Sequence, residues 1–478
     1  MSSSLGYIEL GTELQNCISK EQAWHYRIVP KTNAKDAVVF YIDDQVKVNG
    51  QADELEAIFG KKVEFEALDS AKLQKTLSVY YRKNDRNGGE VKVYNKKADN
   101  FLDDLIAEAR SVGSSDIHVE VYEERCRVRI RIDGKLIERY TLDHEQYPSF
   151  VNKIKIKSSL DISEKRLPQD GRIFFKVGKD KFDIRVSCLP TLYGEKIVMR
   201  LLGSDAGNIN IESLGFGKEE LENYLEGVKK PHGIVLISGP TGSGKTTTLY
   251  ATLKVLNNTD TNIVTVEDPI EYTLEGINQV QLKENIGLTF ASTLRSFLRQ
   301  DPDIIMLGEI RDGETAEMAV RAALTGHLVL STIHTNSAWG TISRLVDMGV
   351  APFLIASTLN TSVAQRLVRL LCPHCKSEEE FKSSAYPRSF KPVREIKKHY
   401  VAKGCESCYY TGYKGRKALY EVITIDYELG EMIKNGNFAV RNELKERGIK
   451  TLAENAFDLF ESGETSINEV YPMLLNDM

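Results

Sequence analysis

A six-residue apolar run, "GIVLIS", passes directly into "GPTGSGKTTTLYATL". Gly239, Gly244, Lys245 and Thr246 satisfy the G-x4-G-K-[ST] pattern, and the flanking residues read as a strand before it and a helix after it. That context belongs to an α/β sheet, so this one motif already excludes all-helical and all-β folds for the surrounding region. The glycines let backbone N–H groups wrap phosphate oxygens. Lys245 adds a point charge at the β/γ oxygens, and the Thr246 hydroxyl suits Mg²⁺. The expected nucleotide contacts are Gly239, Pro240, Thr241, Gly242, Ser243, Gly244, Lys245, Thr246 and Thr247, with ATP and Mg²⁺ as the ligands.

Further apolar runs, "NIVTVED", "DIIMLGEI" and "HLVLSTI", follow this loop. Short continuous runs of this kind suit strands buried on both faces of a mostly parallel sheet. In such sheets ligands gather at the carboxyl ends of the strands. Glu309 falls at that edge, where a carboxylate orients water or holds Mg²⁺ through water. Glu267 falls there too and is the favoured member of its group, while Asp268 and Glu271 remain open between a metal role and a turn role. His327 precedes one strand and His334 follows it, so the two do not share a metal. Either serves as a γ-phosphate sensor, a proton-transfer group or a structural histidine.

At 478 residues the chain has room for about three domains. The first part alternates helix and strand patterns: "CISKEQAWHYRIVPKT" as a helix breaking before Pro30, "AVVFYID" and "KVEFEAL" as strands, "ADELEAIFG" and "SAKLQKTLSVYY" as helices. This gives a small α/β domain over 1–82. The polar stretch 83–99 reads as a linker. From 100 to 205 a helix closed by Gly113 precedes alternating strands, with "IDGK" marking a hairpin turn, which makes an α+β domain. The remainder, 206–478, is the phosphate-loop domain.

The seven cysteines divide unevenly. Cys17, Cys126 and Cys188 are scattered and read as small buried apolar residues. Cys372, Cys375, Cys405 and Cys408 form two Cys-x2-Cys pairs separated by 29 residues, a tetrahedral thiolate Zn²⁺ pattern of structural type. They belong to a zinc-binding insertion at 372–412, and the spacer between the pairs is longer than the usual ribbon, so the loop there can fold outward. A net charge of −5 argues against a general nucleic-acid or membrane-surface binder. No apolar run approaches the ~18 residues of a spanning helix, and no secretory leader is evident, so a cytoplasmic location is expected.

Taken in order, "SSDIHVE", "GPTGSGKTTTLYATL", "TVEDPIEY", "LRQDPDIIMLGEIRD", "TGHLVLSTIHTN" and "QRLVRLLCPHC" resemble the GspE/PilB secretion ATPases, the motors of type II secretion and type IV pilus assembly. The resemblance is clear from about residue 100 onward and fainter over 18–81. It implies a RecA-like P-loop ATPase domain preceded by a PAS-like α+β domain and a small N-terminal α/β domain, with a tetracysteine zinc insertion. It also implies a hexamer, an inner-membrane platform protein and a cytoplasmic docking protein as partners, with the motor at the cytoplasmic face of the inner membrane. Glu309 then matches the catalytic glutamate, Glu267 the acidic box, and His327 and His334 the histidine box. Arg185 and Arg200 look like the arginines that reach the phosphates, with Arg172 a further candidate. Such an arginine would neutralise charge on the transferred phosphoryl group. Tetracysteine insertions occur in assembly-type members, which tilts the expectation towards extension or secretion. A RecA-like motor on nucleic acid and a nucleotide-binding scaffold are the rival readings.

Overall fold

In a computed structural model the described residues are 8, 10, 14, 17–34, 36–44, 51–81, 92–93, 100–177, 180–201, 210–382, 385–386 and 394–475. The chain divides into two compact units, Met1–Gly89 with Lys382–Arg388, and Glu90–Phe381 with Ser389–Met478.

The first unit holds α1 (Lys20–His25), β1 (Ile28–Asn33), β2 (Ala37–Asp43), α2 (Gln51–Phe59), β3 (Lys62–Leu68) and α3 (Ser70–Tyr80). Its sheet runs β1-β2-β3, with β1 antiparallel and β3 parallel to β2. The expected helix is shorter than the sequence suggests. It ends at His25, and Pro30 lies inside β1. A proline is tolerated there because β1 is an edge strand, and the ladder register shifts between Pro30 and Thr32.

The second unit begins with an antiparallel lobe. Its elements are β4 (Lys92–Val93), α4 (Phe101–Ser111), β5 (Asp116–Val121), β6 (Cys126–Ile132), β7 (Lys135–Leu142), α5 (Tyr147–Lys157), β8 (Gln169–Val177), β9 (Asp180–Thr191) and β10 (Gly194–Leu201). The strand order is β4-β7-β6-β5-β10-β9-β8, and among the described residues the only parallel pair is β4 with β7. Most of the stretch read as a linker lies outside the described residues, yet Lys92 and Val93 pair with Tyr140 and Thr141 of β7. Asp133 and Gly134 both have positive φ, 46° and 82°, as a two-residue β6–β7 turn requires. One face of the sheet packs on α4 and α5 through Ile117, Val119, Ile130, Phe150, Ile154, Ile184 and Met199, all buried. Cys126 and Cys188 belong to that core, whereas Cys17 of the first unit is half-buried.

A parallel-sheet lobe follows: α6 (Lys218–Val228), β11 (Gly233–Ser238), α7 (Lys245–Leu256), β12 (Ile263–Glu267), β13 (Asn278–Gln281), α8 (Phe290–Phe297), β14 (Ile304–Leu307), α9 (Gly313–Leu324), β15 (Leu328–Ile333), α10 (Gly340–Asp347), α11 (Pro352–Thr358) and β16 (Leu359–Leu371). After it come β17 (Lys376–Glu380), β18 (Lys398–Ala402), β19 (Tyr413–Thr424), α12 (Tyr427–Lys434), α13 (Arg441–Glu446), α14 (Leu452–Glu461) and α15 (Ile467–Leu475). The order β13-β12-β14-β15-β11-β16-β19 is parallel except at β19. Every residue of β11, β14 and β15 is buried, which is why these segments read as unbroken apolar runs. This topology sets the carboxyl ends of β12, β14, β15 and β11 side by side. No helix among the described residues is long and apolar enough to cross a membrane.

Candidate nucleotide site and metal cluster

The phosphate loop leaves β11 at Gly239 and enters α7 at Lys245. Gly239 has φ 151°, and a Cβ there would lie 2.5 Å from the Gln365 carbonyl oxygen and 2.7 Å from Ser243 Oγ. Gly244 has φ 91°. Glycine is therefore required at both positions by backbone conformation, and at Gly239 by close approach as well. Lys245 Nζ donates to the loop carbonyls of Gly239 at 2.8 Å and Pro240 at 3.1 Å. Burial pulls the Lys245 ammonium below its usual range, with Glu309 opposing that shift and Arg366 adding to it. Ser243 Oγ is buried without a protein partner, and Thr246 is exposed at the start of α7. A buried hydroxyl with no partner, a lysine and a helix N-terminus at one turn form a donor set that fits phosphate.

Glu309 lies beyond β14, and its carboxylate is held from two sides. Arg311 Nη2 pairs with Oε1, and His334 Nε2 lies 3.2 Å from Oε2. Burial would raise the Glu309 pKa, but Arg311 and then His334 outweigh it and hold the group below the usual carboxylate range. Arg311 was not singled out in the sequence. Its signal was a cation two residues after the strand-end acid in "GEIRD". It also lies 3.8 Å from the half-exposed Asp268.

Glu267 is turned the other way. It is buried, and its Oε2 accepts the Tyr250 hydroxyl of α7. Its Oε1 accepts Thr265 at 2.6 Å and Gln279 Nε2 at 3.1 Å. Along β12, Thr265 and Glu267 share the face that packs on α7. The acid that faces the open edge beside Arg311 is Asp268.

The three arginines of the antiparallel lobe stand in one row across β8, β9 and β10, with Arg172 opposite Arg185 and Arg185 opposite Arg200. They differ in their partners. Arg185 crosses to the parallel-sheet lobe, where Nη2 donates to the Ile270 carbonyl and Nη1 lies 3.5 Å from Glu271. Arg200 Nε pairs with Asp116 Oδ1 at 3.0 Å within its own lobe, and Arg172 is exposed. His334 is at the phosphate edge, whereas His327 sits at the opposite end of β15. Its Nδ1 donates to the Ala322 carbonyl at 2.8 Å, closing the end of α9.

Cys372, Cys375, Cys405 and Cys408 converge, with all four Sγ atoms within 4.8 Å of one another. The pairs Cys372–Cys405, Cys375–Cys408 and Cys405–Cys408 are 3.9, 3.8 and 3.8 Å apart. A Zn–S bond of about 2.3 Å gives a regular tetrahedron an edge of about 3.8 Å, so the donor set fits Zn²⁺ with no open position. Backbone N–H groups of Cys405 and Gly412 point at Cys408 Sγ, each at 3.2 Å, and support a thiolate there. The intervening segment does not simply fold outward. β17 and β18 pair and pack back, with Tyr400 against Gly463 and the His399 ring centroid 6.0 Å from that of Phe460.

A family model described as "Type II/IV secretion system protein" matches residues 94–472. Type IV pilus assembly ATPase PilB of Myxococcus xanthus is 42% identical over 482 residues, spanning 95% of this chain and 85% of that protein. Type II secretion system protein E of Pseudomonas aeruginosa is 50% identical over 337 residues, spanning 70% and 67%. Among solved structures, the ATPase DotB of Legionella pneumophila shares the fold, with TM-score 0.62 and 21% identity over 81% of this chain and 99% of that one. The pilus retraction motor PilT with bound ADP gives TM-score 0.53 and 25% identity over 77% of this chain and 95% of that one. A phosphate loop beside Glu309, on a sheet that PilT and DotB share, thus sits in a sequence that aligns over most of its length with secretion and pilus ATPases: the chain belongs to the type II/IV secretion system protein family, as one of its ATPases.

Proposed function

We propose that this ATPase is a hexameric motor that spends ATP to assemble a type IV pilus or a type II secretion pseudopilus. It would act at the cytoplasmic face of the inner membrane through a platform protein and a docking protein. The supporting observation is the meeting of Lys245, Glu309 and His334 at one sheet edge, with Arg185 of the antiparallel lobe on the adjoining loop.

Each group has a role that its surroundings favour. Lys245 exchanges the carbonyls of Gly239 and Pro240 for phosphate oxygens. Glu309, kept ionised by Arg311 and His334, accepts a hydrogen bond from the attacking water and aims it at the γ-phosphorus. Arg185, with Arg200 and Arg172 beside it in the same row, brings positive charge from the antiparallel lobe towards the transferred group. The Thr246 hydroxyl and acids of the edge such as Asp268 would hold Mg²⁺, which when bound would supply charge neutralisation at the phosphates. Zn²⁺ on Cys372, Cys375, Cys405 and Cys408 is structural.

The pilus reading draws on the pilus relative's alignment, which extends over 95% of the chain and so takes in the N-terminal unit. The secretion reading draws on the higher identity, 50%, within the shared 337 residues. Expressing Glu309→Gln beside the wild-type chain in the source cell separates them. Lost surface filaments with normal secreted protein would mean pilus extension, and the reverse would mean type II secretion. If neither changed, the motor reading would fail.

A further inference from the structure

The antiparallel lobe meets the parallel-sheet lobe at a second place, at the β6–β7 turn, three strands across the sheet from Arg185 on β9. Asp133, in the β6–β7 turn, accepts the Gly415 N–H on Oδ2 at 2.8 Å, and its Oδ1 lies 3.5 Å from Arg416 Nε. Lys135 Nζ stands 5.3 Å from the centroid of the Tyr413 ring, and the Arg139 guanidinium 5.5 Å from that of Tyr409. All four receiving residues belong to the short segment that leaves the second cysteine pair.

Local propensity does not favour this segment's course. Tyr409 and Tyr410 have φ of 49° and 58°, a region costly for non-glycine residues. The cysteine cluster holds it instead. The Tyr410 N–H donates to the Cys405 carbonyl at 2.8 Å, the Gly412 N–H to Cys408 Sγ at 3.2 Å, and the Cys372 N–H to the Gly412 carbonyl at 2.9 Å. Both cysteine pairs are thereby bonded to the residues immediately before Tyr413 and Gly415.

We propose that the tetracysteine cluster is the seat of the antiparallel lobe: by fixing the turn from Tyr409 to Arg416 it sets where Asp133, Lys135 and Arg139 dock, and so where Arg185 meets the acidic loop. The inference rests on the reading that Arg185 serves ATP hydrolysis. Asp133, Lys135 and Arg139 are then positioning residues, since none of them touches the phosphate loop.

Amide hydrogen exchange on the full zinc-loaded chain tests this. Asp133→Ala should keep one Zn²⁺ per chain and bind a fluorescent ATP analogue within about twofold of wild type. Exchange at Gly415 and across 132–135 should quicken by about tenfold or more. Hydrolysis should fall about tenfold in kcat with KM unchanged, because a misplaced lobe spoils geometry rather than binding. Asp133→Asn, which keeps an acceptor for Gly415, should fall between the two. Chelating Zn²⁺ from wild type should speed exchange at 132–135 to the Asp133→Ala level, and chelating the variant should add nothing there. Exchange at 132–135 that ignores Zn²⁺, an Asp133→Ala chain that exchanges like wild type, or chelation that also opens β11 would each overturn the proposal. A wild-type chain without turnover would sink the functional reading alone, and the exchange results would still decide the seat.

Discussion

Removing one hydroxyl, in Tyr250→Phe, should weaken the nucleotide-binding lobe more than its size suggests. Tyr250 is fully buried on α7, one turn beyond the phosphate loop, and Glu267 is 3% exposed. Burial and then Glu267 push the phenol well above its usual pKa, so it stays a donor across the working pH range. The other donors to Glu267, Thr265 and Gln279, both serve Oε1, so the substitution strips Oε2. It also removes the acceptor of the Glu271 N–H, 3.3 Å away. Losing a buried hydrogen bond to a charged group costs about 1.5–3 kcal/mol, with no solvent to replace it. For a lobe of this size, 2 kcal/mol lowers the melting temperature by roughly 4–8 °C. Calorimetry of wild type, Tyr250→Phe, Glu267→Gln and the double variant closes the cycle, and the coupling should be about 1–2 kcal/mol. A loss under about 0.5 kcal/mol in Tyr250→Phe, or additivity in the double variant, would refute the inward-facing placement of Glu267.

Three further outcomes rest on other contacts of the same chain. Arg311→Ala should move the acid limb of the kcat/KM profile to higher pH: the Glu309 pKa is depressed in the folded chain, so its ionised form persists below the ordinary carboxylate range and is lost only as pH falls through the lower value. An unmoved limb would remove Arg311 from that role. Lys155→Met should cost about 3–5 kcal/mol by urea titration, because it leaves the buried Glu195 without its cation, Lys155 Nζ at 2.7 Å, and with only the Cys188 thiol at 3.2 Å among the side-chain partners described. The double variant Lys155→Met with Glu195→Gln should recover much of that loss. Zinc assay should find about one Zn²⁺ per chain, falling to near zero in Cys405→Ser together with a lower melting temperature. Full zinc content in that variant would contradict the four-thiolate set.

Much of the site is legible in the sequence because its signals are local. The phosphate loop, the buried strands of one sheet, the Asp133-Gly134 turn and the two cysteine pairs each depend on residues close together in the chain. What resists reading depends on partners supplied from elsewhere. Glu267 and Asp268 are neighbours with opposite orientations, and the choice is made by strand pleat together with Tyr250 on another element. Arg185 and Arg200 stand opposite each other in register, yet only Arg185 crosses to the other lobe. Arg200 is retained by Asp116, from a strand far earlier in the chain. Pro30 sits in a strand because β1 lies at a sheet edge, a fact of topology rather than of local sequence. The paired strands β17 and β18 pack back because Gly463 leaves room for the Tyr400 ring.

The most direct test of the nucleotide site is single-turnover ATP hydrolysis by purified Glu309→Gln beside wild type, with nucleotide affinity measured on the same samples. The swap keeps the size of the side chain and removes the charge that Arg311 and His334 hold in place. Affinity within about threefold and hydrolysis lowered at least about 100-fold is the expected result. Hydrolysis at the wild-type rate with intact binding would mean that the reaction runs without Glu309, and that the edge of β14 is not where water is activated.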